Sequence, residues 1–177
     1  MTRMMQVMCG IAVASAMVMG QPVRAQQPAA APATLQAALA GDVSMLSDKF
    51  VGLARVMAGK YDWKPGQGVR SVGEVFNLIV MENGLLASTL TGAAAGAPPA
   101  AINDPTALQN ALKASYANLQ KVVAGLSDAD LRANVQLFGR NTTKQGAIFM
   151  VMFDQHEHLG QSIAYARSNG VVPPWSK

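Results

Sequence analysis

Apolar residues recur every three or four positions along most of the chain, which is the period of helices that bury one face. The first such stretch runs roughly from Thr34 to Ala58. The second begins at Ser71-Val72-Gly73-Glu74, which has the form of a helix capping box. The third follows Asp104-Pro105, a helix N-cap with proline at the first helical position. The pattern therefore predicts at least three long helices before residue 127.

A fourth helix is predicted over about residues 143–168. Thr142-Thr143-Lys144-Gln145 predicts a second capping box at its start. Gly170 fits the position just past its end, and Pro173-Pro174 prevents the helix from resuming.

The connections between these stretches are of two kinds. Gly92 to Ala101 is rich in glycine and proline and predicts a long, flexible crossover. Ser127 to Asp130 predicts a short helical turn, and Val135 to Phe138 an extended piece that ends at Gly139. Because no stretch shows sustained strand alternation, we expect an all-α fold, a four-helix bundle with a long crossover between helices 2 and 3.

The first 25 residues have the features of a cleavable signal peptide. Arg3 precedes an apolar run from Met4 to Gly20, and Val23 and Ala25 are the small residues of a cleavage site. The run is somewhat short for a bilayer span, although a retained anchor is the alternative interpretation. We therefore expect a periplasmic or secreted protein without a membrane partner after cleavage. Residues 26–33 predict a disordered linker and residues 34–177 a single helical domain.

Charge and cysteine content exclude several classes of function for the processed chain. Loss of Arg3 and Arg24 lowers the formal net charge from +4 to +2, and the remaining basic residues are scattered, so nucleic acid is not an expected partner. The single cysteine, Cys9, lies in the signal segment. The processed chain would therefore have no disulfide, thiol nucleophile or thiolate ligand.

Candidate chemistry is concentrated in the fourth helix, which contains both histidines of the protein. Asp154 and His158 are four residues apart and share a helix face with Gln161 and Tyr165. Glu82 interrupts the apolar stripe of the second helix and is the residue expected to face them. A set of two carboxylates and one imidazole in a bundle would suit zinc, manganese, iron or nickel.

The sequence allows other interpretations of these residues. Asp154 and His158 can form a hydrogen-bonded pair in the core without any metal, and Glu82 can be exposed to solvent. His156 points away from His158 on a helix, so we expect it at the surface or behind the site. Glu157 and Glu82 are the candidate general bases if the site is catalytic.

Several segments of the chain resemble the DinB family, and together they extend over the whole predicted domain. The most distinctive segment is His156 to Arg167 with Gly170 to Pro174. The supporting segments are Trp63-Lys64-Pro65 with Val69 to Phe76, Leu126 to Leu131, and Val135 to Gly139.

The resemblance implies a DinB-like four-helix bundle, often a homodimer, with a divalent metal held by three histidines. Carried over position by position, those places are Leu78, Asp154 and His158, of which His158 alone keeps its histidine. Leu78 cannot bind a metal, and Asp154 would bind through oxygen. Glu82, one helical turn after Leu78, is the candidate replacement ligand, and the expected metal set is Glu82, Asp154 and His158.

Three hypotheses for function follow from the residues and the resemblance. The first is an exported DinB-like domain with an altered or vestigial metal site and a binding or stress-associated role. The second is a metal-dependent hydrolase or transferase centred on Asp154 and His158. The third is a non-catalytic dimerisation module, which the many small residues of the helices favour.

Overall fold

Helices with apolar faces account for most of the computed structural model, which describes residues 34–94, 96–97 and 99–176. The predicted signal peptide and linker lie outside the described residues. The helices are α1 (Leu35–Val56), α2 (Val72–Thr91), α3 (Pro105–Ala124), α4 (Asp128–Arg132) and α5 (Lys144–Ser168). Between α4 and α5, strands β1 (Asn134–Leu137) and β2 (Arg140–Thr143) form an antiparallel hairpin.

The four long helices form a bundle in which α1 and α2 each pack against α3 and α5. Helices α1 and α2 therefore occupy opposite corners, and so do α3 and α5. Residues 92–104 make the long connection between α2 and α3. This arrangement confirms the predicted four-helix bundle and places α2 beside α5.

The apolar stripes meet in one core that contains an aromatic cluster. The ring of Phe50 on α1 lies edge-on to Phe76 on α2 and stacks with Tyr116 on α3, with centroid distances of 6.4 and 6.2 Å. All three side chains are essentially inaccessible to solvent. Because each ring comes from a different helix, this cluster fixes how three of the four long helices approach one another.

Helix ends largely follow the sequence signals. At Ser71 the capping box forms as predicted, with a Glu74 carboxylate oxygen accepting from the Ser71 amide at 2.6 Å. Asp104 caps α3 as predicted. Gly170 has a φ of +68°, and the Val171 amide donates to the Ala166 carbonyl at 2.9 Å, which closes α5 in a Schellman turn. Among the described residues, no helix combines the length and hydropathy that a bilayer span requires.

Around the start of α5 the structure confirms the predicted extended piece, adds a strand that was not predicted, and lacks one predicted capping box. The extended piece at Val135 to Phe138 is one strand of a hairpin whose second strand the sequence did not indicate. Its turn consists of Phe138 and Gly139, both with positive φ, and phenylalanine is not a residue typical of such a turn. The predicted capping box at Thr142 does not form, because Thr142 belongs to β2 and Thr143 caps α5 by accepting from the Gly146 amide.

Two glycines of α2 are expected to respond oppositely to alanine. A Cβ at Gly73 would lie 3.1 Å from the Tyr61 Cβ and 3.3 Å from the Tyr61 carbonyl oxygen. Tyr61 cannot easily retreat, because it is buried and its hydroxyl donates to the Ala54 carbonyl. We expect Gly73→Ala to destabilise the protein by about 1–2 kcal/mol through overpacking.

The matched variant is Gly84→Ala, where a Cβ would meet no atom within 4 Å. We expect this variant to stabilise the protein by about 0.5–1 kcal/mol, because alanine loses less backbone entropy in a helix. Urea unfolding measures both changes. Equal effects of the two substitutions would contradict the packing of Tyr61 on α2.

Candidate metal site

A fully buried pair of side-chain amides holds α2 against α5. The Gln155 Nε2 donates to the Asn83 Oδ1 at 2.9 Å, and the Tyr116 hydroxyl donates to the Gln155 Oε1 at 2.9 Å. The Asn83 Nδ2 then donates to the Ser115 hydroxyl at 3.1 Å, so α3 joins the same network. Since unpaired buried amides are costly, this network restrains the register of α2 relative to α5.

The three predicted ligands meet beside this network. Glu82 precedes Asn83 on α2, and Asp154 precedes Gln155 on α5. Glu82, Asp154 and His158 each offer one donor atom, and the three atoms lie within 4.8 Å of one another. An ion about 2 Å from each donor needs separations of no more than about 4 Å, so a small side-chain movement would complete coordination.

Glu82 is the most deeply buried member of this group. It is 5 % exposed, and its Oε2 has no hydrogen-bond partner among the described residues. Burial, followed by the proximity of the Asp154 carboxyl group, raises the pKa of Glu82 to about 8. At neutral pH and without a cation beside it, Glu82 is therefore mostly protonated. The hypothesis that Glu82 is exposed to solvent is wrong.

The other two donors lie closer to the surface. The His158 Nε2 is 3.4 Å from the Asp154 Oδ2, and the two side chains are 16 % and 47 % exposed. The two residues therefore form a pair at the edge of the bundle rather than in the core. The group is closed on the side of Glu82 and open to solvent on the side of Asp154, which would let an ion and a further ligand enter.

A chain of hydrogen bonds leads away from the far side of the His158 ring. The His158 Nδ1 is 2.9 Å from the Gln161 Oε1, and the Gln161 Nε2 donates to the Tyr165 hydroxyl at 2.8 Å. That hydroxyl donates in turn to the Arg70 carbonyl oxygen at 3.2 Å. The sequence placed Gln161 and Tyr165 on the face of His158 but did not reveal these bonds or their anchor on Arg70.

The remaining candidates lie outside the group of donors. The His156 Nε2 is 3.1 Å from both Asp42 carboxylate oxygens on α1, which agrees with its predicted surface position. Glu157 is exposed and contributes no donor to the group. Leu78 is half-buried and has no donor atom, so Glu82 is the carboxylate that α2 contributes.

The amides that hold the two helices together were missed by sequence reasoning. Asn83 and Gln155 each follow a predicted ligand directly, but a polar residue at one helical position carries no sign of its partner. The one feature that could have indicated their role is their position, because each lies on the apolar side of its helix.

Comparison with known proteins agrees with this architecture. The family model of the DinB superfamily matches residues 46–162. None of the curated proteins compared matches the chain.

Two solved structures of DinB-like proteins share the fold. One, from Bacillus subtilis, is 19 % identical, with a TM-score of 0.64 over 75 % of this chain and 92 % of that chain. Another, from Bacillus cereus, is 15 % identical, with a TM-score of 0.68 over 78 % and 95 % of the two chains. At these identities the likeness concerns the fold alone. Because the family model matches well over half of its residues, the chain belongs to the DinB superfamily.

Proposed function

We propose that this domain binds a divalent metal ion through Glu82, Asp154 and His158. The observation that carries the proposal is the buried Glu82 Oε2, which lacks a hydrogen-bond partner among the described residues and belongs to a group of three donors. A buried carboxyl oxygen without a partner is costly, and a bound cation would supply that partner to the deprotonated group. The three residues are therefore chemically suited to hold an ion.

The ligand types favour a harder ion than a three-histidine site would. Two carboxylates and one imidazole suit manganese or iron(II) better than zinc or nickel, in which nitrogen ligands contribute more to affinity. We therefore place manganese and iron(II) first among the four candidates. A vestigial site is the opposing hypothesis, and measured affinity distinguishes the two.

A second candidate function is metal-dependent hydrolysis or group transfer. The observation that favours it is the 47 % exposure of the Asp154 side chain, which leaves one side of the site accessible to a substrate. A bound divalent ion would supply Lewis acidity and lower the pKa of a bound water. The residues of this chain would hold that ion and, through buried Glu82, keep water from its inner side.

We also propose that the protein acts after export, as residues 1–25 indicate, with a binding or stress-associated role. Homodimer formation, which the resemblance implies, stays a prediction. If export is correct, protein recovered from the periplasm of a Gram-negative host should begin at Gln26. N-terminal sequencing measures this, and recovery of the full-length chain from the membrane fraction would contradict it.

Removal of any one donor should abolish or strongly weaken metal binding. We expect Glu82→Gln, Asp154→Asn and His158→Ala each to weaken manganese binding by at least about tenfold, because each removes one of three protein ligands. Isothermal titration calorimetry with manganese, iron(II) and zinc measures the affinities.

Two variants of α5 provide matched controls for these substitutions. Glu157→Gln and His156→Ala change the same residue types outside the donor group, and both should retain wild-type affinity. Loss of binding in the controls, or full binding in all three donor variants, would place the ion elsewhere.

The stability of the metal-free protein should fall as the pH rises. The folded state keeps a proton on Glu82 up to a pH of about 8, whereas an unfolded glutamate releases it at about 4.3. Between these values the folded state binds more protons, so the free energy of unfolding decreases with pH. Urea unfolding at intervals from pH 5 to pH 9 measures this decrease.

Glu82→Gln should flatten this profile, because glutamine mimics the protonated carboxyl and does not titrate. Glu157→Gln is the control and should leave the slope unchanged. Saturating manganese should also reduce the decrease in wild-type protein, because metal and proton compete for Glu82. An equally steep decrease in Glu82→Gln would assign the pH dependence to another group.

A further inference from the structure

We propose that Gln161 and Tyr165 hold His158 in the tautomer that leaves its Nε2 free to bind the metal. The expected effect on metal affinity rests on the proposed function, whereas the tautomer of His158 is a property of the metal-free protein. Gln161 and Tyr165 would thus be positioning residues, neither of them a ligand. The hydrogen bonds from His158 through Gln161 and Tyr165 to the Arg70 carbonyl form a relay.

The direction of every bond in the relay follows from its last member. The Arg70 carbonyl oxygen can only accept, so the Tyr165 hydroxyl donates to it at 3.2 Å. With its hydrogen committed, the Tyr165 oxygen accepts from the Gln161 amide nitrogen at 2.8 Å. The Gln161 carbonyl oxygen then faces the imidazole, and the Nδ1 at 2.9 Å must carry the hydrogen.

The opposite ring nitrogen consequently lies on the side of the two carboxyl groups. A neutral imidazole with a hydrogen on Nδ1 has its lone pair on Nε2, which is the donor atom a metal needs. The Nε2 is 3.4 Å from the Asp154 Oδ2, a longer contact than the 2.9 Å bond at Nδ1. The shorter contact, which is the hydrogen bond to Gln161, is therefore the one that places the proton on the far side of the ring.

The relay is also fixed at its distal end by packing. Tyr165 is 7 % exposed, and the Trp63 ring lies edge-on to it with a centroid distance of 5.2 Å. Trp63 precedes α2 and its amide donates to the Lys60 carbonyl at 3.0 Å. The orientation of a ring on α5 is thus tied to the backbone of the segment that leads into α2.

The tautomer can be measured directly by long-range ¹H–¹⁵N correlation spectra of metal-free protein, at a pH where the imidazole is neutral. The described chain has two histidines, and His156→Ala assigns the signals. We expect His158 to be mainly the Nδ1–H form. Tyr165→Phe should move the tautomer ratio about fivefold toward Nε2–H, the effect of one lost hydrogen bond.

Tyr61→Phe is the matched control for this substitution. The Tyr61 hydroxyl also donates to a backbone carbonyl, that of Ala54 at 2.9 Å, but it takes no part in the relay. We expect Tyr61→Phe to leave the His158 ratio unchanged. Circular dichroism of both variants checks that the fold is retained.

Manganese titration supplies a second readout. Gln161→Leu should weaken affinity by about 10- to 100-fold, as is typical when a partner behind a metal-binding histidine is lost. A predominant Nε2–H tautomer in the wild type, or an unchanged ratio in Tyr165→Phe, would overturn the relay. The expected tautomers in a protein that binds none of the candidate ions would instead uphold the relay and contradict the proposed function.

Discussion

The packing of α2 against α5 depends on the hydrogen bond between the buried amides of Asn83 and Gln155. This bond is 2.9 Å long and neither residue is accessible to solvent, so any slip of one helix along the other would leave a buried amide without a partner. Each amide directly follows a carboxylate in the chain. The same bond that sets the helix register therefore brings Glu82 and Asp154 to the same side of the interface.

The burial of Glu82 favours a proton or a cation next to its carboxyl group inside the bundle. A carboxyl group at this depth keeps its proton unless a cation takes its place, and Asp154 strengthens that tendency because two negative charges would otherwise be adjacent. A proton and a divalent ion are thus alternative ways of neutralising the same group. The imidazole of His158, oriented from behind by uncharged groups, adds a donor without adding further negative charge.

Sequence predicted the parts of this molecule that local interactions determine. The four long helices and the capping box at Ser71 follow from apolar periodicity and short-range hydrogen bonds. The hairpin was missed because the first residue of its turn, Phe138, is not a usual turn residue, although Gly139 is. Glu82 was identified because a carboxylate in an apolar stripe stands out. The register between α2 and α5 is a tertiary property, so the amide partners and the Arg70 anchor could not be predicted.

The order in which the donors are synthesised has a consequence for how the proposed ion would be acquired. Asn83 of α2 and Gln155 of α5 are 72 residues apart in the chain, so α2 is synthesised well before α5. Until α5 docks, Glu82 lacks the other two donors of the group, which both lie on α5. An emerging polypeptide therefore could not hold an ion through all three donors before α5 is complete. Loading would take place in whichever compartment the domain completes its folding, and the ions available there would determine its occupancy.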